Sequence, residues 1–305
     1  MKKRFLNLAS LIAGSLPLSF KQALYRFPPL ARLIRGSLNA SVEEGLSIIE
    51  VAAGTLKGYR VLLNLKAEKS RWLGTYEPDL QAALGDFLKP GMTVYDVGAN
   101  IGYVSLMMAR HVGASGRVFA FEALPVNVER IQKNIGLNHL GNLSVVSAAV
   151  TDKPGPLTFF VHASVGMGKA AGSAGRSDDQ YKERITVPGL SLDDFVYGQG
   201  NPPPAAVKMD IEGGEVLALP GMRRILNEHH PILFLELHGP ESEKVAWESL
   251  TAAGYRLMSM ESGYAPIDSP ASLGWKAYLI ATPINQGGRH PPQQPGRRPS
   301  APTKP

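Results

Sequence analysis

One stretch, Val94-Tyr95-Asp96-Val97-Gly98-Ala99-Asn100-Ile101-Gly102, restricts what this chain can fold into more than any other. It reads as a buried strand running into a tight glycine turn, and the turn opens a helix over 103–111. A second apolar run, Arg117-Val118-Phe119-Ala120-Phe121-Glu122, reads as a strand that ends in an acid. Strand, glycine loop, helix, strand and carboxylate together make the nucleotide-binding half of a doubly wound α/β fold.

The order of residues in the loop narrows the ligand. A dinucleotide site uses G-x-G-x-x-G, so that backbone can crowd a pyrophosphate at the helix N-terminus. Here the order is Asp-x-Gly-x-Asn-x-Gly, with Asp96 just ahead of the turn. A carboxylate there repels a pyrophosphate but suits an amino group or ribose hydroxyls, and S-adenosylmethionine carries both. Gly98 and Gly102 let backbone approach a ligand without a Cβ. Asn100 can take a left-handed turn and still offer an amide. Glu122 can accept from both ribose hydroxyls.

Beyond the loop, strands and helices alternate. Strands are expected at 93–97, 117–122, 143–149, 205–210 and 231–237, with helices at 103–111, 125–137, 215–227 and 241–253. Such alternation implies a mainly parallel sheet covered on both faces. Two late runs, 255–260 and 275–281, have no helix between them, so the last strand should run antiparallel. The expected fold is a Rossmann-like α/β sheet of seven strands, mostly parallel with the last reversed, the arrangement of S-adenosylmethionine-dependent methyltransferases. Ahead of it, 46–51 and 59–65 read as a β-hairpin, and a helix begins at Pro78. Residues 162–180, rich in Gly, Ser and Ala, break the alternation and read either as a plain connection or as a lid over an acceptor.

Composition matters mainly for what it excludes. With no cysteine, disulfides, thiolate zinc sites and cysteine nucleophiles are ruled out. Of the net charge of +6, residues 1–40 contribute +7 and residues 286–305 contribute +4, so the body between carries −5. No aromatic-interleaved basic face appears in that body, which argues against nucleic acid as a partner. Four segments follow: a basic helical extension at 1–40, a hairpin or cap region at 41–75, a catalytic domain at 76–285, and a disordered Pro/Arg-rich tail at 286–305. The start, Met1-Lys2-Lys3-Arg4 followed by Leu6, Leu8, Leu11 and Ile12, resembles the opening of a signal peptide. Asn7, Ser10 and Ser15 interrupt the apolar run, Pro17 ends it without a clear cleavage site, and it is too short and too polar to span a bilayer. The first 40 residues suit an amphipathic helix resting on an anionic membrane surface or packing on its own domain. The expected location is cytoplasmic, with peripheral membrane contact open.

In an open parallel sheet, ligands bind beyond the carboxyl ends of the strands. That rule nominates Asp96, Gly98, Asn100 and Gly102 after the first strand and Glu122 after the second. Asp152 follows the third, Asp210 and Glu212 the fourth, and Glu236 and His238 stand on the fifth. A neutral His238 could take a proton from an acceptor hydroxyl. Alternatively, two acids and His238 could hold a divalent cation. Asn201-Pro202-Pro203-Pro204 precedes a strand and lacks an aromatic fourth residue, so it reads as a linker.

Several of these motifs, in this order, resemble the FkbM-type methyltransferase family. They are Thr75-Tyr76-Glu77-Pro78, Asp96 to Tyr103, Phe121-Glu122-Ala123, Asn134-Ile135-Gly136-Leu137-Asn138, Leu192-Asp193-Asp194, Lys208 to Glu215, and Glu236-Leu237-His238. The family's Phe-Glu-Pro stands here as Phe-Glu-Ala, and its Glu-Gly-Ala-Glu as Glu-Gly-Gly-Glu. The resemblance implies S-adenosylmethionine as cofactor and O-methylation of a hydroxyl on a sugar, glycan or other small molecule. It implies Tyr76, Glu77, Asp96, Gly98, Asn100, Gly102, Glu122 and Asp152 around the cofactor, and Asp210, Glu212 and His238 toward the acceptor. Two rival readings stay open: methylation of protein or RNA, and a binding protein that keeps the fold without turnover.

Overall fold

The computed structural model describes residues 45–162 and 166–284. The expected extension at 1–40 and the tail at 286–305 lie outside the described residues. A short antiparallel hairpin comes first, β1 (Ser47–Glu50) on β2 (Arg60–Leu63). The central sheet follows with β3 (Thr93–Val97), β4 (Arg117–Glu122) and β5 (Leu143–Ser147). A second sheet interrupts it, made of β6 (Ala149–Val150), β7 (Gly155–His162), β8 (Gly168–Ala170) and β9 (Tyr181–Leu190). The central sheet then resumes with β10 (Ala206–Met209), β11 (Ile232–His238), β12 (Tyr255–Ser259) and β13 (Lys276–Pro283).

Strand order in the central sheet is β12-β13-β11-β10-β3-β4-β5. Contacts from β11 through β5 are parallel, and β13 runs antiparallel to both β11 and β12. The seven-stranded architecture read from the sequence is therefore present, with its reversed final strand. Two apolar layers cover the sheet. One joins the helices Pro78–Phe87, Tyr103–Val112 and Pro125–Leu137 to the hairpin through Leu84, Met107, Ile131 and Leu63. The other uses Met222, Leu226, Ala246 and Leu250 against Tyr95, Val97 and Leu235. Alternation of side chains along β3 assigns Val94 to the first layer and Tyr95 and Val97 to the second.

Two expectations are corrected. The helix read at 215–227 is divided into Glu215–Ala218, a turn at Pro220–Met222 and Arg223–Glu228, because proline lacks an N–H and its ring crowds the preceding turn. The third strand ends at Ser147 rather than 149, and the chain passes into the second sheet, of order β6-β9-β7-β8. Leu157-Thr158-Phe159-Phe160-Val161 and Arg184-Ile185-Thr186-Val187 are the strand-forming runs behind that sheet. They were passed over because a reading of alternating strands and helices left no place for them.

The hairpin is fastened by side chains of the helix Pro125–Leu137 and the residue after it. Asn138 accepts from Arg60 N (2.9 Å) and donates to Arg60 O (2.8 Å). Asn134 Oδ1 accepts from Leu62 N (2.8 Å), and Arg130 donates to Leu62 O (2.8 Å). These groups satisfy a strand edge that would otherwise be unpaired. Among the described residues no helix is long and apolar enough to cross a membrane.

A cavity at the carboxyl ends of the central strands

The chain leaves β3 toward β4 and β5 on one side and returns to β10 and β11 on the other. The reversal of strand order falls between β3 and β10, where such sheets bind ligands. A cavity of ≈ 360 Å³ opens there, within the roughly 300–1,000 Å³ of small-molecule sites. Of the residues singled out in the sequence, Tyr76, Glu77, Gly98, Asn100, Glu122, Asp210 and Glu212 line it, and Asp96, Gly102, Asp152 and His238 do not.

The loop after β3 is shaped by close packing. Gly98 has φ +78°, and a Cβ there would stand 2.0 Å from the Asp210 carbonyl oxygen. Its N–H and that of Ala99 both donate to Phe121 O at 3.0 Å. Asn100 adopts φ 53°, and its N–H donates to Glu122 Oε2 at 2.8 Å. Glu77 and Glu212 also have positive φ, 43° and 56°. Left-handed backbone costs a non-glycine residue on the order of 1–3 kcal/mol, and such strain gathers at functional sites.

Glu122 is buried and well supplied with donors. Oε1 accepts from Leu124 N (2.9 Å) and Asn127 Nδ2 (3.3 Å), and Oε2 accepts from Asn100 N. Burial nevertheless pushes its carboxyl up to about 7, against the lowering effect of those donors. A carboxylate has about four lone-pair sites, so the remaining one is on Oε2. The expected pairing of Glu122 with both ribose hydroxyls at once is thus reduced to one free position. Beside it, Asn127 Oδ1 is buried without a partner, but Asn127 is not on the cavity wall. Phe121, Ala123, Ala148, Ala149 and Val150 give this end of the cavity an apolar wall.

Asp96 has a different place from the one expected. It is fully buried, accepts from Ser105 Oγ at 2.5 Å and lies 3.4 Å from Lys208 Nζ. The parallel register of β3 and β10 sets these two residues side by side. Lys208, which lines the cavity, also donates to Gly98 O at 3.1 Å and lies 4.0 Å from Asp210 Oδ2. Asp96 therefore supports the loop from behind through Lys208. Gly102 caps the helix after the loop with φ +80° and packs on Ile131. Asp152 is corrected outright: it is exposed beyond β6, where it accepts from Thr151 Oγ1. The turn into β7 carries it away from the cavity.

At the other end stand Asp210, Glu212, Glu236 and Lys276. Burial and the neighbouring Glu236 push the Asp210 carboxyl up, against the pull of Lys208, to about 7. Glu236 pairs with Lys276 and with His238, 3.2 Å away. Behind them His238 is buried among carboxylates, with Glu215 at 3.8 Å from Nδ1 and Glu212 at 3.8 Å from Nε2. Burial would lower its pKa, but the adjoining Glu215 and Glu236 raise it to about 10. These carboxylates favour the charged imidazolium over the neutral imidazole expected from sequence. The oxygen and nitrogen atoms of Asp210, Glu236 and His238 approach within 4.8 Å of one another, as metal ligands would. Glu236 is paired with Lys276 and His238, and Asp210 faces Lys208, so a divalent cation there would have to displace these cations or the His238 proton.

The segment expected as a connection or lid closes one side. Asn100 Nδ2 and Asn127 Nδ2 donate to Gly166 O at 2.7 and 3.1 Å. Farther on, Ala174 N donates to Gly213 O at 2.9 Å, and a Cβ on Gly213 would stand 2.2 Å from Ala174 O. Lys169 holds the turn between them by pairing with Asp178 at 2.8 Å.

Sequence reasoning gave no role to Lys208, Lys276 or Arg71, all on the cavity wall. A signal existed for Lys208, since a lysine inside the apolar run Ala206-Val207-Lys208-Met209 requires a buried partner. Nothing in the sequence marks Arg71.

A family model for the methyltransferase FkbM domain matches residues 96–257, more than half of the chain. The chain belongs to the FkbM methyltransferase family. Over 71 residues, 23% of its length, it is 35% identical to a protein-L-isoaspartate O-methyltransferase of Methanothrix thermoacetophila, and the match covers 34% of that protein. The chain thus spans about a third of the length of the curated relatives it matches. Among solved structures, the methyltransferase FkbM of Methylobacillus flagellatus is 17% identical, with 72% of this chain and 53% of that one covered and a TM-score of 0.41. A SAM-dependent O-methyltransferase of Thermotoga maritima is also 17% identical, with 81% of each chain covered and a TM-score of 0.39.

Proposed function

We propose that this chain is an S-adenosylmethionine-dependent O-methyltransferase acting on a hydroxyl of a sugar, glycan or other small molecule. The observation that carries this reading is the polarity of one continuous cavity. At one end lie Glu122 and an apolar wall; at the other lie Asp210 and Glu236 with Lys276. The residues present fit the cofactor: the wall for adenine, Glu122 Oε2 for ribose, and Glu77 and Tyr76 for the amino-acid end.

The cofactor supplies a methyl group on an electrophilic sulfonium. The chain's own contribution is to align an acceptor hydroxyl with that methyl and take its proton. Asp210 suits the second task, because a carboxyl near 7 can accept a proton at neutral pH and is poised to release it. Glu236, fixed by Lys276 and His238, holds the acceptor by a further hydrogen bond. His238 acts behind it as a cation and a positioning residue. The Gly166–Gly175 side of the cavity limits water, so placement of the acceptor contributes much of the rate.

The acids also bear on acceptor class. Asp210, Glu212 and Glu236 offer acceptor oxygens at this end, with Lys208 and Lys276 beside them, which suits a neutral hydroxyl that donates a hydrogen bond. The divalent cation considered from sequence has no part in this mechanism. The test is incubation with S-adenosylmethionine and a panel of hydroxylated glycans and metabolites, read by mass spectrometry for the gain of one methylene. Product from hydroxyl compounds supports the reading; methylation confined to protein or RNA would replace it.

A further inference from the structure

We propose that Arg71 is the carboxylate anchor of the cofactor site, holding the α-carboxylate of the methionine portion of the methyl donor. The inference rests on the cofactor reading above and adds a residue outside the family-matched range of 96–257.

Three cations line the cavity: Arg71, Lys208 and Lys276. Two of them are engaged. Lys208 serves Asp96, Asp210 and the carbonyl of Gly98. Lys276 pairs with Glu236. Among the described residues, Arg71 alone of the three has no carboxylate partner. Its Nε is buried and makes no hydrogen bond. Its guanidinium carbon lies 4.1 Å from the centre of the Tyr76 ring, stacked over it, which fixes the group while leaving its donor edge unused. Arg71 as a whole is half-buried, but its buried Nε–H has no acceptor, and a buried donor left unpaired is costly unless a ligand completes it. Its five N–H groups match a carboxylate in a bidentate fork, which an ammonium cannot do.

The position suits the amino-acid end of the cofactor. Tyr103, the first residue of the helix after the glycine loop, donates from its hydroxyl to Arg71 O at 2.7 Å, and its ring meets Tyr76 edge-on at 5.8 Å. Arg71 is thereby locked to the start of the helix Tyr103–Val112, whose N-terminal dipole also favours negative charge. Glu122, the ribose end, lies on the far side of the same loop, tied to it through Asn100 N. Glu77, on the Arg71 side of the cavity wall, is an acid available to the ammonium of the same moiety. The short helix Lys69–Trp72 thus completes a site whose other parts come from the central sheet.

The test is calorimetry with two ligands on the full chain: S-adenosylhomocysteine and its analogue lacking the α-carboxylate. Arg71→Met keeps the stem packed on Tyr76 and removes the charge. It should weaken S-adenosylhomocysteine binding by roughly 10- to 100-fold, the range of a charge-assisted pair, and leave the decarboxylated analogue within about twofold of wild type. Arg71→Lys should recover part of the loss for the first ligand only. Equal losses for both ligands, or no loss for either, would overturn the assignment. Failure of the wild-type chain to bind S-adenosylhomocysteine would overturn the cofactor reading itself, a result distinguishable from failure at Arg71.

Discussion

Lys208 Nζ lies 3.4 Å from Asp96 Oδ1 in a buried pair, and the same ammonium holds the Gly98 carbonyl of the glycine loop. Two adjacent strands thus share one charge at the point where the sheet reverses order. Breaking a buried pair by removing one partner strands the other charge, at a cost of about 3–5 kcal/mol. Asp96→Asn should therefore lower the unfolding free energy by about that amount, as read from urea denaturation. A loss below about 1 kcal/mol would mean that Lys208 finds its compensation elsewhere.

Asn134 joins the hairpin to the glycine loop, since Oδ1 accepts from Leu62 N and Nδ2 donates to Ile101 O at 2.9 Å. Asn134→Ala leaves both buried backbone groups unpaired, and should destabilise the fold by roughly 1–3 kcal/mol. Hydrogen exchange should show faster exchange at the Leu62 amide than in wild type. Unchanged exchange there would show that the hairpin is held without Asn134.

Glu122 sets a pH dependence with a definite sign. Its carboxyl is raised by burial from 4.5 to about 7 in the folded chain. Below the unfolded value both states are protonated. As pH rises from there through about 7, the folded state gives up its proton later, so its contribution to stability declines and then levels off. Ligand affinity should move the other way, because the carboxylate form accepts from ribose. Calorimetric affinity for S-adenosylhomocysteine should increase as pH passes upward through about 7, and Glu122→Gln should flatten that rise. A flat wild-type profile would remove Glu122 from ribose recognition.

Asp210 and His238 should separate in kinetics. Asp210→Asn should lower kcat by roughly 10²–10⁴-fold, the range of general-base catalysis, with cofactor affinity nearly unchanged. His238→Asn should reduce turnover less, retaining the acidic limb of the wild-type pH–rate profile. It should also cost stability at neutral pH. With a pKa raised from 6.5 to about 10, that stabilisation is complete below 6.5 and disappears as pH rises through about 10. The stability gap between wild type and variant should narrow over that interval. If His238→Asn abolishes the acidic limb, His238 is the base after all.

The sheet was legible because each central strand is a short apolar run with turn residues at its ends. Lone motifs such as Asp96 to Gly102 then fixed the direction of the chain at the switch point. The second sheet was hidden because Gly155–His162 and Tyr181–Leu190 lack a clean alternation of buried and exposed positions, and the segment between them is rich in Gly, Ser and Ala. Asp152 failed for a related reason. Its place after a strand was correct, but the chain turned into β7 and took the side chain outward.

What the sequence determined by itself was periodicity and local stereochemistry: seven central strands, the glycine loop, an acid after β4 and the family motifs. Those depend on neighbours within a few residues, where side-chain spacing and backbone preference decide. Tertiary structure alone decided which charges meet. Asp96 pairs with Lys208 because parallel register sets β3 beside β10. His238 is pushed toward its charged form because carboxylates from β11 and from the segment after β10 surround it, and Arg71 stacks on Tyr76 with its Nε unpartnered. Protonation state depends on burial and on the net field of groups far apart in the chain, and no pattern along the sequence encodes that sum.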